Sequence, residues 1–384
     1  MTAEVIVVGG GITGLATAHA LAGAGVRVRL LERGALGAMA SGWTLGGVRQ
    51  SGRHPAELPL AIAAVARWGE LAEVLGADPG YRRRGNLRLA RSGTEVAQIR
   101  ALVGAQSAQG LDLEFLPDTA AVRAVAPALG EAVLAASFCP SDGHADPAMT
   151  VAAYAAAARR LGVVIEEGVE ALALLEGASR VRGVRTRDAA READAVVLAT
   201  GLHAPGLLRP LGLDLPLAPQ VVTVLQTAPL PPLLDQVFGV ANADCAGLQE
   251  IGGRLRITTG IGDWPHAPEG WAEAMLMPTA GTLAGLIARV GALLPALEAA
   301  RVARVWGGLI DLTPDALPVL DAPRPGLVVA AGFSGHGWGL GPVTGEICAA
   351  LALGRLPVHD IAAFHLARFA ADPARVAQPL ALHG

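Results

Sequence analysis

Lysine is absent from all 384 residues, and every one of the 30 basic residues is arginine. Schiff-base chemistry and any step run by a lysine amine are therefore excluded. A guanidinium stays charged at any working pH, so arginine supplies no tuned amine base in exchange. Tyrosine is nearly missing: Tyr81 and Tyr154 are the only two, and Tyr154 falls in a predicted helix as a core residue. The three cysteines, Cys139, Cys245 and Cys348, stand far apart. Their spacing matches no metal site and their odd number no disulfide framework, so the expectation is reduced thiols in a cytoplasmic protein without a metal. No uninterrupted apolar run reaches the roughly 18 residues that span a bilayer. The apolar start at Val5 has no basic region ahead of it and no cleavage-site pattern after it, unlike a signal peptide. Net charge is −4, without runs of one sign. That leaves out the clustered basic face that nucleic-acid binding needs.

Hydrophobic residues make up 52% of the chain. At roughly 150 residues per domain, this length suits two domains. Residues 4–8 read as a buried strand ended by glycine, 12–24 as a helix with Gly25 beyond its end, and 26–32 as a second strand ending in Glu32. This is a βαβ unit. Between its first strand and helix lies Gly9-Gly10-Gly11-Ile12-Thr13-Gly14, which holds the spacing Gly-x-Gly-x-x-Gly. In such a turn Gly9 allows the sharp bend, Gly11 lets backbone approach a pyrophosphate, and Gly14 lets helix pack on strand. The helix N-terminus offers free N–H groups to phosphate, and Glu32 can accept from ribose hydroxyls. The dinucleotide-binding set is Gly9, Gly11, Ile12, Thr13, Gly14, Glu32 and Arg33. The motif alone does not separate FAD from NAD, and an ordinary glycine-rich turn carries the same letters.

Further along, helices are expected at 56–76 and 94–109, with a strand over 81–90. Asp146-Pro147 reads as an N-cap and first helical position, and the helix runs to Leu161. Residues 163–185 read as strands, with Val169 just past a turn at Gly168. Residues 194–200 form a buried strand leading to Thr200-Gly201. Prolines over 205–232 suggest a crossing into a second domain. Residues 219–263 alternate like antiparallel strands, and 270–294 are helical. Residues 326–332 form a last buried strand, followed by a glycine loop and a helix from Pro342 to about Leu353. Gly335, Gly337, Gly339 and Gly341 would leave backbone N–H groups open on that loop.

Three later segments resemble a known family. Ala-Ala-Gly-Phe-Ser-Gly-His-Gly-Trp-Gly-Leu-Gly-Pro (330–342) is similar to the C-terminal flavin loop of the D-amino-acid oxidase and sarcosine oxidase family. Trp306-Gly-Gly-Leu-Ile-Asp-Leu-Thr-Pro-Asp (306–315) resembles the segment just before it, and Val-Val-Leu-Ala-Thr-Gly (196–201) the strand returning under adenine. Asp142-Gly-His-Ala-Asp146-Pro147 and Gly46-Gly47-Val48-Arg49-Gln50 are similar as well, nearest to β subunits of heteromeric sarcosine and opine oxidases.

The resemblance implies an α/β fold: a Rossmann-like FAD-binding domain (1–78, 145–215 and 318–384) with an α+β antiparallel-sheet substrate domain (79–144 and 216–317). It implies non-covalent FAD and oxidation of a small secondary (N-substituted) amine or an amino acid by hydride transfer to flavin N5. Expected cofactor contacts are Ala40, Ser41, Gly46, Gly47, Val169, Thr200, Gly201, Gly332, Gly335, His336, Gly337, Gly339 and Leu340 besides the first set. Arg49, His336 and Trp338 are the catalytic candidates, and Trp264, Trp271, Gln249 and Arg256 are possible pocket walls. Expected partners are the amine, O2 or another electron acceptor, and partner subunits or further copies of the chain.

Three of the family's handles are missing. Gly339 stands where monomeric sarcosine oxidases carry a carboxylate-binding lysine, Gly308 where they carry the flavin-linking cysteine, and Ile310 where glycine oxidases carry an arginine. Alternatives therefore stay open: a hydroxy-acid or polyol-phosphate dehydrogenase on the same fold, a flavin subunit inactive alone, a binding module without turnover, or an NAD-linked enzyme.

Overall fold

The structure, a computed structural model, describes residues 4–264, 266 and 273–371. The expected βαβ unit opens the chain as β1 (Glu4–Val8), α1 (Ile12–Gly23) and β2 (Arg27–Glu32). β1 lies inside a six-stranded sheet of order 319–324, 327–331, 195–198, β1, β2, 164–167. Its neighbours β2 and Ala195–Leu198 both run parallel to it. A strand in that position is covered on both faces, which is why Val5 to Val8 are apolar without alternation. α1, Pro147–Arg160 and Gly337–Ala352 cover one face, and a small three-stranded sheet (173–192) helps cover the other. The Pro147–Arg160 helix is capped as its sequence predicts: Asp146 Oδ1 accepts from the Met149 N–H at 2.8 Å.

A second, nine-stranded sheet is built from segments between 86 and 139, 218 and 263, and Val302–Leu312. It is antiparallel except where Val237–Val240 runs parallel to Asn86–Ala90. Leu87, Leu225, Phe238, Leu255 and Ile257 bury one face beneath the Ala280–Leu293 helix. Strand side chains alternate between faces. Val224, Thr258 and Gly308 consequently look the other way, into a cavity that reaches the first sheet.

Several elements depart from the sequence reading. The 81–90 strand shortens to Asn86–Ala90 because Gly85 takes a positive φ of 89° just before it. The expected 270–294 helix begins at Ala280, and Trp271 lies outside the described residues. The last helix starts at Gly337, not Pro342, which sits inside it. The turn is completed earlier, by Ser334 and Gly335 at φ 53° and 87°. Glycine and proline are poor helix formers, but here packing overrides propensity. A Cβ on Gly341 would stand 2.8 Å from Ile12, and one on Gly345 2.5 Å from Ala16. These glycines let the helix lie directly on α1.

Gly14 carries the same kind of constraint: its Cβ would fall 1.9 Å from the carbonyl oxygen of Gly9. Gly14→Val should therefore push α1 off the turn. The expected loss is at the upper end of the roughly 1–3 kcal/mol of overpacked sites, read as a lower midpoint of urea unfolding. An unchanged midpoint would mean that the turn yields freely.

Candidate active site

The cavity between the two sheets has a volume of about 590 Å³, within the roughly 300–1,000 Å³ of small-molecule sites. The β1–α1 turn forms one end. Gly9 holds a φ of 109°, and a Cβ there would lie 2.2 Å from the Ala199 carbonyl. α1 has no capping side chain of its own at Gly11; Ser41 Oγ accepts from the Ile12 N–H at 3.0 Å. Ser41 belongs to a short helix, α2 (Ala40–Trp43), which the sequence reading left as loop. The Glu32 carboxylate closes β2 and accepts from the N–H groups of Gly10 (2.6 Å) and Gly34 (2.8 Å). Val169 is held to the same place, its N–H donating to the Glu32 carbonyl at 2.9 Å. Thr200 Oγ1 and His203 Nε2, also in the wall, are buried without a hydrogen-bond partner among the described residues.

At the other end lies a buried charge cluster. The Asp142 carboxylate accepts from the Gln50 N–H (2.8 Å) and the Ser51 hydroxyl (2.5 Å). Gln106 bridges the Gly52 N–H (2.9 Å) and the Arg53 carbonyl (3.2 Å). Arg49 is thus presented on a braced segment. Among the described residues its side chain makes one hydrogen bond, from Nη1 to the Ser51 carbonyl at 2.8 Å, while it lines the cavity. Arg53 lies behind it, 3.9 Å from Glu57. Burial, then the neighbouring Arg53 and Arg88, hold the Arg49 guanidinium well below its ordinary pKa. Three buried guanidiniums thus face two carboxylates.

His336 stands at the start of the Gly337–Ala352 helix with Nδ1 2.9 Å from Glu57 Oε2. Burial, then Arg53, Arg49 and Arg88, push its pKa well below the usual value. Burial thus disfavours the charged imidazole, and Nδ1 faces the Glu57 carboxylate. Trp338 donates from Nε1 to the Gly46 carbonyl at 3.1 Å and packs on Trp68 with ring centroids 5.7 Å apart. Its polar edge is therefore spent on the backbone, and only ring surface meets the cavity. The carboxylate of Asp311 accepts from the Gly332 N–H at 2.8 Å and fixes the turn ahead of the helix; burial pushes its pKa up to about 6.

Of the residues expected from the sequence, Gly9, Gly11, Ile12, Thr13, Glu32, Arg33, Ala40, Ser41, Arg49, Val169, Thr200, Gly201, Gly335, His336, Gly337 and Trp338 meet in the cavity wall. Gly14, Gly46, Gly47, Gly332, Gly339 and Leu340 stand outside that wall. Gly339 gives its carbonyl to Trp68 Nε1 at 2.8 Å, and Leu340 is core, because the helix begins before them. Gln249 does not face the cavity either. Its carboxamide donates to the carbonyls of Pro231 and Gly253 and accepts from the Leu233 N–H, bracing a loop. Arg256 is paired with Glu250 at 2.5 Å. Trp43, Asp311 and His203 were not anticipated. His203 carried one available signal, its place two residues past Thr200-Gly201.

This geometry can be set beside known proteins. Residues 4–351 match the profile of the DAO family, described as FAD dependent oxidoreductase. The chain belongs to this family. A glycine oxidase from Geobacillus kaustophilus is 30% identical, over 95% of this chain and 97% of that protein. A sarcosine oxidase subunit beta from Arthrobacter is 28% identical over 93% and 87%. Among solved structures, L-proline dehydrogenase from P. horikoshii superposes with a TM-score of 0.86 at 25% identity, covering 96% of this chain and 98% of that one. DAO-family enzymes are FAD-dependent amine and amino-acid oxidases or dehydrogenases, and this chain is an FAD-dependent oxidoreductase of that kind.

The residues present fit that cofactor. A helix N-terminus with glycine at its cap and the Ser41 hydroxyl beside it suits a diphosphate, Glu32 suits a ribose, and two buried polar atoms of the cavity wall, Thr200 Oγ1 and His203 Nε2, lack partners among the described residues. Among the described residues no helix is long and apolar enough to cross a membrane.

Glu32→Ala removes a charged acceptor, a kind of bond worth roughly 1.5–3 kcal/mol. FAD should bind the apoprotein about tenfold or more weakly, measured by quenching of flavin fluorescence. Unchanged affinity would place the ribose elsewhere.

Proposed function

We propose that this chain oxidises the carbon–nitrogen bond of a small amine that carries a carboxylate, either an N-substituted or a primary amino acid. The product is an imine that water then hydrolyses. Residues 1–78, 145–215 and 318–384 form the FAD-binding domain in this reading, and 79–144 with 216–317 the substrate domain. Bound FAD supplies the acceptor for the hydride that leaves the carbon.

The observation that carries the reading is the unbalanced cluster behind Arg49. Arg49, Arg53 and Arg88 outnumber Asp142 and Glu57 in that cluster, and of the three guanidiniums Arg49 reaches the cavity. A carboxylate there would complete it, taking the place of the lysine and arginine handles that this chain lacks. His336, whose charged form burial disfavours, stands at the N-terminus of the Gly337–Ala352 helix, whose first turn leaves N–H groups unpaired and favours negative charge nearby. Gly308 offers no sulfur for a covalent link, which supports FAD held without one.

The sheet side of the cavity presents Val222, Val224, Ala246 and Thr258, and the carboxylate it carries among the described residues, Asp311, is tied to the Gly332 N–H. The Cys245 thiol is pushed up to about 12 by burial and is no base either. The amine therefore sheds its proton before it reacts. kcat/KM should rise with pH along a limb that moves with the amine pKa of each substrate.

The deciding experiment mixes the yellow protein, without oxygen, with amino acids, N-methyl amino acids and 2-hydroxy acids, following loss of flavin absorbance. Carboxylate-bearing amines should bleach it and hydroxy acids should not. Bleaching by hydroxy acids alone, or a colourless protein without flavin, would overturn the proposal. Arg49→Ala should raise KM about tenfold or more, for the loss of a charged hydrogen bond, with a smaller change in kcat.

The names of the relatives support a second reading of the electron acceptor, since one of them is a D-amino acid dehydrogenase. Readmitted air would then recolour the flavin slowly and an artificial acceptor quickly.

A further inference from the structure

Trp43 ends α2, and the backbone carbonyls at the end of a helix lack partners within it. The donors for two of them come from the opposite sheet. Trp306 Nε1 donates to the Trp43 carbonyl at 3.3 Å, and Arg256 Nη1 donates to the Thr44 carbonyl at 2.7 Å. Register explains how both donors reach one spot. On strand Ala218–Pro229, Val224 pairs with Thr258 and Trp306, and Gln226 with Arg256 and Arg304. These rows lie two residues apart and share the face turned to the cavity.

The donors are themselves braced. Arg256 Nε lies 2.5 Å from Glu250, whose carboxylate also accepts from Gln226 Nε2 at 2.8 Å. The guanidiniums of Arg256 and Arg304 lie 5.4 Å and 4.9 Å from the Trp306 ring centre, a favourable cation–aromatic arrangement. Two residues further along the same strand, Gly308 leaves the space for Trp43. A Cβ at position 308 would stand 2.8 Å from Trp43 Cβ and 3.3 Å from its ring. Trp43 is thus gripped at its carbonyl by one sheet strand and at its ring by the same strand, while it lines the cavity.

We infer that Trp43 sets the size of substrate the site admits, and that Arg256 and Trp306 are positioning residues that hold it from the opposite sheet. The inference rests on the reading that a carboxylate-bearing substrate shares the cavity with FAD. Trp43 is a rigid wall, and losing either donor loosens the segment that bears it, so that the wall relaxes outward.

The test compares kcat/KM for a long and a short member of whichever substrate series the wild type oxidises. Trp43→Ala should raise the long-to-short ratio about tenfold or more, the scale on which one or two methylenes are discriminated, and Trp43→Phe should raise it less. Arg256→Leu and Trp306→Phe should move it the same way. In the double variant Trp43→Ala/Arg256→Leu the ratio should match that of Trp43→Ala, since contacting residues are not additive. If Trp43→Ala cannot retain FAD, Trp43→Phe carries the test. The same ratio can be read from non-reacting carboxylates of graded length, by the change they cause in the bound-flavin spectrum. Failure of amine oxidation would therefore overturn the proposed reaction and leave this ratio still readable. An unchanged ratio in the Trp43 variants, or an Arg256→Leu effect that adds in full to theirs, would overturn the inference.

Discussion

Two helices that both begin at the cavity lie directly on one another, and the site depends on how closely they can do so. α1 and Gly337–Ala352 meet where Gly341 faces Ile12 and Gly345 faces Ala16, with no space for a Cβ on either glycine. That contact brings two helix N-termini to one cavity, at Gly11 and at His336. Each contributes unpaired N–H groups and the positive end of a helix dipole. The strands below supply the rest: β1 and β2 end at Gly9 and Glu32, and Ala195–Leu198 leads to Thr200. Separating the helices would move one end of the site away from the other.

The same cavity is positive at its far end for a different reason. Arg49, Arg53 and Arg88 are buried with Glu57 and Asp142, and burial with these arginines disfavours a charge on His336. Burying charge without a full complement of partners is costly, and this arrangement places the deficit where a ligand can reach it. In the proposed function an anionic diphosphate at one end and a substrate carboxylate at the other would answer the two positive ends. Arginine alone could build this cluster, because a buried lysine readily loses its proton whereas a guanidinium stays charged.

What could be read from the sequence was what is local. The β1–α1–β2 unit, its glycine turn and Glu32 lie within about one βαβ unit, and the structure forms those elements where the sequence puts them. The Asp146 cap is equally local. Arg49 could be picked out by its place after two glycines, but the Arg88, Asp142 and Glu57 around it could not. Their neighbours in space are distant in sequence. Gly337 to Gly345 were misread as loop and late helix because glycine's propensity argues against helix and only packing against α1 argues for it. Trp43 had no signal and Arg256 only that of a pocket wall, since the bonds from Trp306 to Trp43 and from Arg256 to Thr44 exist only once the two sheets face each other.

The most direct test of the account is a crystal structure of the yellow protein with a small non-reacting carboxylate. The account predicts the diphosphate of FAD at the α1 N-terminus and the carboxylate on the guanidinium of Arg49, in one continuous cavity. A carboxylate bound away from Arg49, or a dinucleotide bound away from the β1–α1 turn, would contradict it.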